Sequence, residues 1–534
     1  CYSMADAFLG NFQSYSEASA DPMGHFRFNQ IEGFVQDSWR TTRKLSLELG
    51  LRYQWIQPFY LQGNNASNFD RTVYNPNNAV TVTTNGRIVP GSGNPYNGLI
   101  RAGGGVPSDQ QIRVPNVDTS LFSQIPSGAP RGFYKMNGAV GPRFGFAYAL
   151  NDKTTVRGGI GLFFYRAQGN LIFSQLNLPP FLRNVQFDTG NLETIGSLSA
   201  NNTGLQGTIA AIDPQNKNPY TWQYSFGFQR QLTRTVLMEM NYVGSVAHHQ
   251  LRQPNVNFPS LLAVVANANS STPYSSTAIF NPYKGYTAIN SNRFDSNYNY
   301  NALQVFASKR AGFTTFTLAY TFAKALGDSN GNNQTLENWT DQHYNYGSLS
   351  NDRRHAFVAT FVVQAPELSG HSFVVREALG GWQISGVARL QSGAYYNVQG
   401  TSRVNLGNVR PDRVQGVRIY NSHAGVCGYL NNGSGRGCND TQRPFVETPK
   451  TEARFGNAPY APIEGPGLAQ TDATLSKFFP VTERVRVKVQ ADAFNILNRT
   501  NFDGLNLNVS NTSFGTITSA FPARQLQLGA KILF

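Results

Sequence analysis

Long apolar runs are missing from this sequence, and with them any stretch that could cross a membrane as a helix. The most apolar helix-like run, residues 261–266, is far shorter than the roughly 18 to 20 apolar residues that a spanning helix requires. The mean hydropathy is also low, at −0.35. Neither observation excludes a membrane barrel, because only alternate residues of a barrel strand face lipid.

Charge is scarce as well. Charged residues make up 14% of the 534 residues, against a typical value of roughly 25%. Phe, Tyr and Gly are abundant, at 37, 25 and 51 residues, which favours a large β-structure over a helical enzyme. Amphipathic runs and loops rich in Asn, Gly, Ser and Pro alternate from end to end. The sequence therefore predicts a single domain over residues 1–534.

Cysteine is nearly absent, with three residues in the chain. Cys427 and Cys438 bracket a short Gly-rich segment, and a disulfide between them would contribute roughly 2 to 3 kcal/mol. Such a bond would indicate an oxidising, extracytoplasmic setting. The alternative is a pair of free thiols. A zinc site is disfavoured, because no second Cys pair or nearby His pair completes it.

Acidic residues are outnumbered, and 44 Lys and Arg against 30 Asp and Glu give a net charge of +14. A nucleic-acid-binding surface would gather these charges on one face between aromatic platforms. Here they are scattered, many of them at polar positions of strands. We interpret them as charges of a water-filled interior and its rim, and we expect no nucleic-acid partner.

What the sequence has in quantity is alternation with a period of two, the mark of a strand with one apolar and one polar face. Residues 44–55 place Leu on one face and Ser, Glu, Gly, Arg and Gln on the other. In residues 484–493, Val and Ala alternate with a charged set, which would be expensive to bury in a dry core. A water-filled lumen removes that cost. The predicted lumen-facing charges are Arg484, Arg486, Lys488 and Asp492.

The last strand alternates up to the C-terminal residue. Leu526, Leu528, Ile532 and Phe534 share one parity, and we predict that they form a lipid-facing insertion strand. Such a strand would close a barrel by pairing with the first strand. The chain begins at Cys1 without an initiator Met or a signal-peptide pattern, which predicts a mature or N-terminally truncated chain.

Strands joined by tight turns alternate with long loops, the arrangement of outer-membrane barrels. About fourteen strands are visible, including a weaker one near residues 5–15. The long loops, predicted to be extracellular, lie near residues 57–133, 167–218, 251–296, 327–352 and 399–467. The fold class predicted is all-β, a transmembrane antiparallel β-barrel.

Candidate chemical motifs are weak. Residues 352–355 are interpreted as interfacial charges at the start of a strand. His248 and His249 are adjacent and point to opposite faces of a strand, so we predict no metal site there. Residues 328–333 have oxygen-rich spacing but lack the Gly and Glu of a calcium loop, which favours a polar surface loop. No nucleophile elbow, HExxH or paired carboxylate is present. We therefore expect neither an enzyme nor a cofactor.

The loops are rich in aromatic and amide side chains, which suit the capture of carbohydrate or peptide. The alternative is that these side chains pack against one another within the loops. The candidate ligand-contacting residues are Trp339, His343, Tyr344, Tyr346, Tyr283 and Tyr286.

Several segments, in order along nearly the whole chain, resemble the barrel of TonB-dependent receptors of the Oar-like type. They include FVQDSW (34–39), GPRFGFAY (141–148), WQYSFGFQRQL (222–232), DATLSK (472–477) and AFNILNRTNF (493–502). The resemblance implies a barrel of about 22 strands, an N-terminal plug and an earlier sandwich domain. Neither plug nor TonB box is recognisable here. The implied partners are outer-membrane lipid, the barrel assembly machinery, a TonB-type energy transducer acting through the plug, and an extracellular ligand.

The resemblance favours capture and active uptake of a large solute across the bacterial outer membrane. Two alternatives stay open: a structural or adhesive surface barrel without transport, and a passive porin.

Overall fold

A computed structural model describes residues 3–18, 23–104, 121–135, 138–197, 204–331, 337–400, 409–421, 428–433, 441–482 and 484–534. In this part of the chain, no helix is long and apolar enough to span a membrane.

Thirteen antiparallel strands form one continuous sheet, in which every strand pairs with its neighbours in sequence. The clearest strands follow the period-two pattern of their sequences. The strands are β1 (Gln30–Arg40), β2 (Leu45–Ile56), β3 (Ala139–Asn151), β4 (Thr154–Phe164), β5 (Tyr220–Gln231), β6 (Val236–Arg252), β7 (Ile289–Lys309), β8 (Thr314–Gly327), β9 (His355–Gln364), β10 (Trp382–Gln391), β11 (Leu468–Pro480), β12 (Arg486–Phe494) and β13 (Gln525–Leu533). Two short strands, Ile209–Ile212 on β7 and Gly347–Ser348 on β8, bring the sheet to 15 strands.

The register separates an apolar face from a polar face. Across the four neighbouring strands β2 to β5, one row of paired residues is Leu49, Phe144, Ile160 and Tyr224. The adjacent row is Gly50, Arg143, Gly161 and Gln223. Residues directly opposite each other point to the same side of a sheet. One face of the sheet is therefore suited to lipid and the other to water.

One end of the sheet carries short turns, at residues 41–44, 152–153, 232–235, 310–313 and 481–485. The connection between β9 and β10 lies at the same end but is longer than these turns and contains a helix, Phe373–Leu379. The remaining connections, which are much longer, all lie at the opposite end.

The long connections are folded into a layer of their own, the loop layer. It contains three large clusters of buried hydrophobic residues, which include Phe133, Tyr286 and Phe445, respectively.

The helices of the loop layer include α1 (Ser3–Phe8), α2 (Leu121–Gln124), α3 (Phe173–Leu176) and α4 (Leu261–Ala268). The helix Phe373–Leu379 is α5 and lies at the turn end, outside the loop layer. The 3₁₀ helices of the loop layer are Pro76–Asn78, Gly169–Ile172, Leu192–Ser197 and Thr277–Phe280. Its short strands are Asn11–Ala18, Phe26–Arg27, Tyr60–Leu61, Ser67–Phe69, Leu99–Ala102, Ser127–Ala129, Asn184–Asn191, Tyr395–Tyr396, Asp412–Arg413, Phe445–Val446, Ile463–Glu464, Phe502–Leu505 and Ile517–Ala520.

The structure corrects two details of the predicted strands. Residues 5–15 do not form a barrel strand: α1 precedes Asn11–Ala18, which pairs with Asn184–Asn191 in a separate ribbon. Arg484 lies in the turn before β12, which begins at Arg486. Both corrections arise because period-two alternation also occurs in ribbons and runs into turns.

The sheet is open. Among the described residues, the outer edges of β1 and β13 pair with no other strand. The predicted all-β class with one large antiparallel sheet is confirmed by this topology.

Candidate ligand-capture site in the loop layer

The loop layer contains a partly open cavity of about 1140 Å³. We call it the loop cavity. It lies between the ribbon Asn11–Ala18, α2, the segment after α3 and the tip of β7. Its lining mixes amides, guanidinium groups and apolar side chains, among them Gln124, Asn177, Arg183, Gln206, Asn290, Tyr96, Leu121 and Leu178. The volume exceeds the roughly 300–1,000 Å³ of most pockets for drug-sized ligands.

An aromatic cluster supports one wall of the loop cavity. Tyr286 is fully buried, and its hydroxyl donates to the Asn97 carbonyl at 2.9 Å. Phe69 meets Tyr286 and Tyr283 edge-on, with ring centroids 5.3 and 5.0 Å apart. Burial raises the pKa of Tyr286 well above its usual value, so the hydroxyl stays protonated. Tyr283 and Tyr286 thus pack within the loops, which supports the self-packing alternative for this pair.

A network of ion pairs stands at the loop end of β6 and β7. Arg252 binds Asp295 through two hydrogen bonds, of 2.5 and 2.9 Å, and its side chain is only 4% exposed. Arg293 lies 2.9 Å from Asp295 and 3.1 Å from the buried Asp213. Because burying these charges is costly unless they are paired, the network fixes the geometry of both strand ends.

The network also holds Trp339. Arg252 donates to the Trp339 carbonyl at 3.1 Å, and the guanidinium of Arg293 lies 5.6 Å from the indole centroid. The segment that carries four of the six candidate aromatics is thereby attached to the sheet.

Tyr344 is held by Arg410. The guanidinium lies 3.6 Å from the centre of the Tyr344 ring and donates to the Tyr344 carbonyl at 2.6 Å. The Tyr344 hydroxyl donates to Glu337 at 2.9 Å. Burial, followed by the charge of Glu337, raises the pKa of Tyr344 above its usual value. This ring is part of the scaffold of the loop layer.

His343 and Tyr346 are the two candidate aromatics that are exposed. The Tyr346 hydroxyl accepts a hydrogen bond of 2.8 Å from Asn299, and the ring stays 41% exposed. Ligand contact stays a prediction for both residues.

The described part of the suspected calcium loop uses its oxygen atoms internally. Asp328 accepts from the Ser296 hydroxyl and from the Asn297 amide, the latter at 3.1 Å. Asn330 donates to the Tyr460 hydroxyl and accepts from the Ser350 amide. Residues 332–336 lie outside the described residues, as do Cys427 and Cys438 of the predicted disulfide. No group of three or more His, Cys, Asp or Glu suited to a metal ion occurs among the described residues.

A lumen-facing position stays a prediction for the charges of β12. Arg486, Lys488 and Asp492 share the polar face of the sheet, and Asp492 accepts from Thr474 at 2.6 Å. Arg484 is exposed in the turn. On the apolar face of the last strand, Leu526, Leu528 and Ile532 are 74%, 83% and 64% exposed, and Phe534 after it is fully exposed. Such exposure is consistent with a lipid-facing strand.

Sequence reasoning missed the Arg252 network and the loop cavity. One signal was available: Arg293 and Asp295 are two residues apart in a strand and therefore lie on the same side. Their partners Asp213 and Arg252 could not be assigned, because the pairing depends on distant segments.

A sheet with one lipid-suited face, short turns at one end and a folded loop layer at the other defines a membrane β-barrel. The chain belongs to the outer membrane beta barrel domain family, whose model matches residues 2–527. The bacterial outer membrane is therefore its location, as predicted.

Solved structures that are similar to this chain at low identity include import receptors and transporters. They include the ferric-catecholate import receptor Fiu from E. coli K12 (11% identity, TM-score 0.39, covering 95% of this chain and 45% of Fiu). The ferric citrate transporter FecA (10%, 0.40, 96% and 46%) and the ferric yersiniabactin uptake receptor FyuA from Yersinia pestis (8%, 0.39, 97% and 46%) are further examples. The chain thus spans less than half the length of these proteins.

A search of curated proteins finds no match. The family match confirms the outer-membrane β-barrel that the predicted resemblance implies. The Oar-like type and the absence of a plug stay predictions. Because such barrels usually have extracellular loops and periplasmic turns, an extracellular loop layer stays a prediction.

Proposed function

We propose that this chain is the barrel of an outer-membrane receptor that captures a large polar solute in its loop layer for active uptake. The observation that carries the proposal is the loop cavity of about 1140 Å³, which is lined by amide and guanidinium groups and by Tyr96, Leu121 and Leu178 of a packed hydrophobic cluster. Amides and guanidinium groups bind hydroxyl, carbonyl and anionic groups, while apolar lining residues contact the rest of a ligand.

Energy coupling belongs, in this proposal, to a plug and TonB box upstream of these residues, engaged by a TonB-type energy transducer. The apolar terminal strand would be read by the barrel assembly machinery, and the apolar face would contact outer-membrane lipid. The chain itself would catalyse no reaction. Support comes from the family match and from the polar face of the sheet, which extends along the strands from the loop end toward the turn end.

The test is uptake by cells that produce the intact protein. The probes are fluorescein-labelled oligosaccharides and oligopeptides too large for porins, supplied with and without a protonophore. We expect accumulation that the protonophore abolishes. Asn177→Trp, which fills the exposed lining of the loop cavity, should reduce it at least tenfold, whereas the matched control Thr512→Trp, on another exposed loop, should leave it unchanged.

The alternatives predict other outcomes. Accumulation that persists with the protonophore, together with open conductance in planar bilayers, would identify a passive porin. Probe binding without accumulation would favour an adhesive surface barrel, for which the three packed clusters of the loop layer would provide a firm surface.

A further inference from the structure

The periplasmic connection between β9 and β10 differs from the others by carrying α5, Phe373–Leu379. None of its residues is buried. Phe373, Val374 and Leu379 are 69%, 73% and 64% exposed. Three large apolar side chains on so short a helix are unusual on a water-facing surface, where they would be solvated at a cost.

Two side chains of the neighbouring strands hold α5 by its carbonyl groups. The Lys477 ammonium donates to the Glu377 carbonyl and, at 3.4 Å, to the Arg376 carbonyl. The Trp382 indole donates to the Ala378 carbonyl at 2.8 Å. The last turn of α5 is therefore attached to β10 and β11.

The attachment is on the lipid side of the sheet. Lys477 lies directly opposite Trp382, and the next pair on the same face is Leu475 and Ile384. Lys477 is only 3% exposed, although it stands on an apolar face. Carbonyl groups at the end of a helix carry partial negative charge, which offsets the cost of a cation there. The helix thus covers a charge that would otherwise face lipid.

The apolar surface continues from α5 into the membrane-facing part of the sheet. A shallow groove of about 430 Å³ begins at Trp382 and runs over Leu475, Val489, Ala491, Leu528 and Ala530. Small side chains on β12 and β13 leave room there for an acyl chain. Trp at the turn end is also suited to the membrane–water interface, since its ring is apolar and its N–H is polar.

We propose that α5 lies in the plane of the periplasmic leaflet and anchors the periplasmic rim of the barrel in lipid. Phe373, Val374 and Leu379 contact acyl chains, and Lys477 and Trp382 fix the helix to the sheet. The partner is the phospholipid of this leaflet. The inference does not depend on what the loop layer binds.

The experiment measures the depth of a spin label in the intact protein. Cys1, Cys427 and Cys438 are replaced by Ser, and Val374→Cys is labelled in nanodiscs of phosphatidylethanolamine and phosphatidylglycerol. The matched control is Arg234→Cys, exposed in the turn between β5 and β6. We expect the Val374 label to collide more with oxygen than with a water-soluble nickel complex, and the Arg234 label to show the reverse.

Two results would overturn the proposal. A Val374 label as open to nickel as the Arg234 label would place α5 in water. A label that is immobilised but open to nickel would assign α5 to a protein partner in the periplasm.

A second variant tests the attachment. Lys477→Met should release α5, so that trypsin cleaves after the exposed Arg376 several-fold faster, whereas Lys488→Met, on the polar face of β12, should not. Equal cleavage in both variants would contradict the role of Lys477.

Discussion

At the scale of single residues, Arg252 has the largest consequence. Its guanidinium is almost fully buried against Asp295 and also holds the Trp339 carbonyl. Arg252→Met keeps the apolar bulk but leaves Asp295 without its bidentate partner. Because Asp295 keeps Arg293 as a partner, the cost should be smaller than the roughly 3–5 kcal/mol of a buried charge left without any partner.

The loss of stability should be confined to the segment around Trp339, because the backbone hydrogen bonds between strands hold the sheet independently of Arg252. We expect faster amide hydrogen exchange in residues 337–346 of Arg252→Met, measured by mass spectrometry. Arg252→Lys keeps the positive charge but loses the bidentate guanidinium geometry, and should give an intermediate exchange rate. Unchanged exchange in Arg252→Met would show that Trp339 is held by other contacts.

Asp328 gives a prediction on pH. Burial raises the pKa of its carboxyl above 3.8, outweighing the hydrogen bonds from Ser296 and Asn297. Between 3.8 and the raised pKa, the folded state binds more protons than the unfolded state, so this group's contribution to the free energy of unfolding falls as pH rises through that interval.

Asp328→Asn removes that dependence. We expect the urea midpoint of the natural protein to fall, relative to that of Asp328→Asn, as pH increases from below 3.8 toward neutrality. A difference between the two midpoints that does not change with pH would contradict a raised pKa at this position.

The sequence alone does not show whether the six candidate aromatic residues contact a ligand or pack within the loops. Aromatic loop residues could be identified, but whether they face a ligand or each other depends on partners far along the chain. The Tyr344 ring packs on Arg410, and the Tyr286 hydroxyl reaches Asn97. Both contacts arise only once the loops fold together.

At the scale of elements, the alternation of β13 predicts opposite effects for neighbouring positions. Leu528 is on the apolar face and Gln527 on the polar face, opposite Asp492. Leu528→Arg should destabilise the folded barrel by about 2–4 kcal/mol, if the site lies near the bilayer midplane. Gln527→Arg, beside a carboxylate in a water-filled interior, should cost far less.

The measurement is the fraction of heat-modifiable, folded protein after refolding into lipid vesicles. Equal losses in Leu528→Arg and Gln527→Arg would contradict the assignment of the two faces.

Strands were predictable because the period of two is a local signal, and β2 and β12 follow the sequence closely. The segment near residues 5–15 was not, because Asn11–Ala18 pairs with Asn184–Asn191. Alternation shows that a strand has two faces, but it does not show which sheet the strand joins. The short α5 carries no such period, and its fixing points lie on β10 and β11.

At the scale of the whole molecule, the strand count decides how the sheet can close. With thirteen strands on an antiparallel path, β1 and β13 both run from the loop end to the turn end. They are therefore parallel, and an all-antiparallel barrel requires an odd number of further strands between them. A barrel of about 22 strands, which the family resemblance implies, would need about nine.

Direct closure can be tested with Val35→Cys and Leu528→Cys on these two edges, in a chain whose native cysteines are replaced by Ser. The family resemblance implies further strands between these edges, so we expect no cross-link on oxidation of the intact protein in membranes. A cross-link would show parallel closure by these thirteen strands, as an odd-stranded barrel requires.

The rim of this sheet is uneven in height. β7 has 21 residues and β6 has 17, whereas β12 and β13 have 9 each. A tilted strand crosses the bilayer with about 9–11 residues, so β7 continues on the order of 30 Å along its own direction beyond it. Asn290, at the tip of β7, lines the loop cavity. In the proposed function, an arriving solute would therefore first meet the tall edge formed by β6 and β7, well above the lipid, whereas the last strands offer only a low edge.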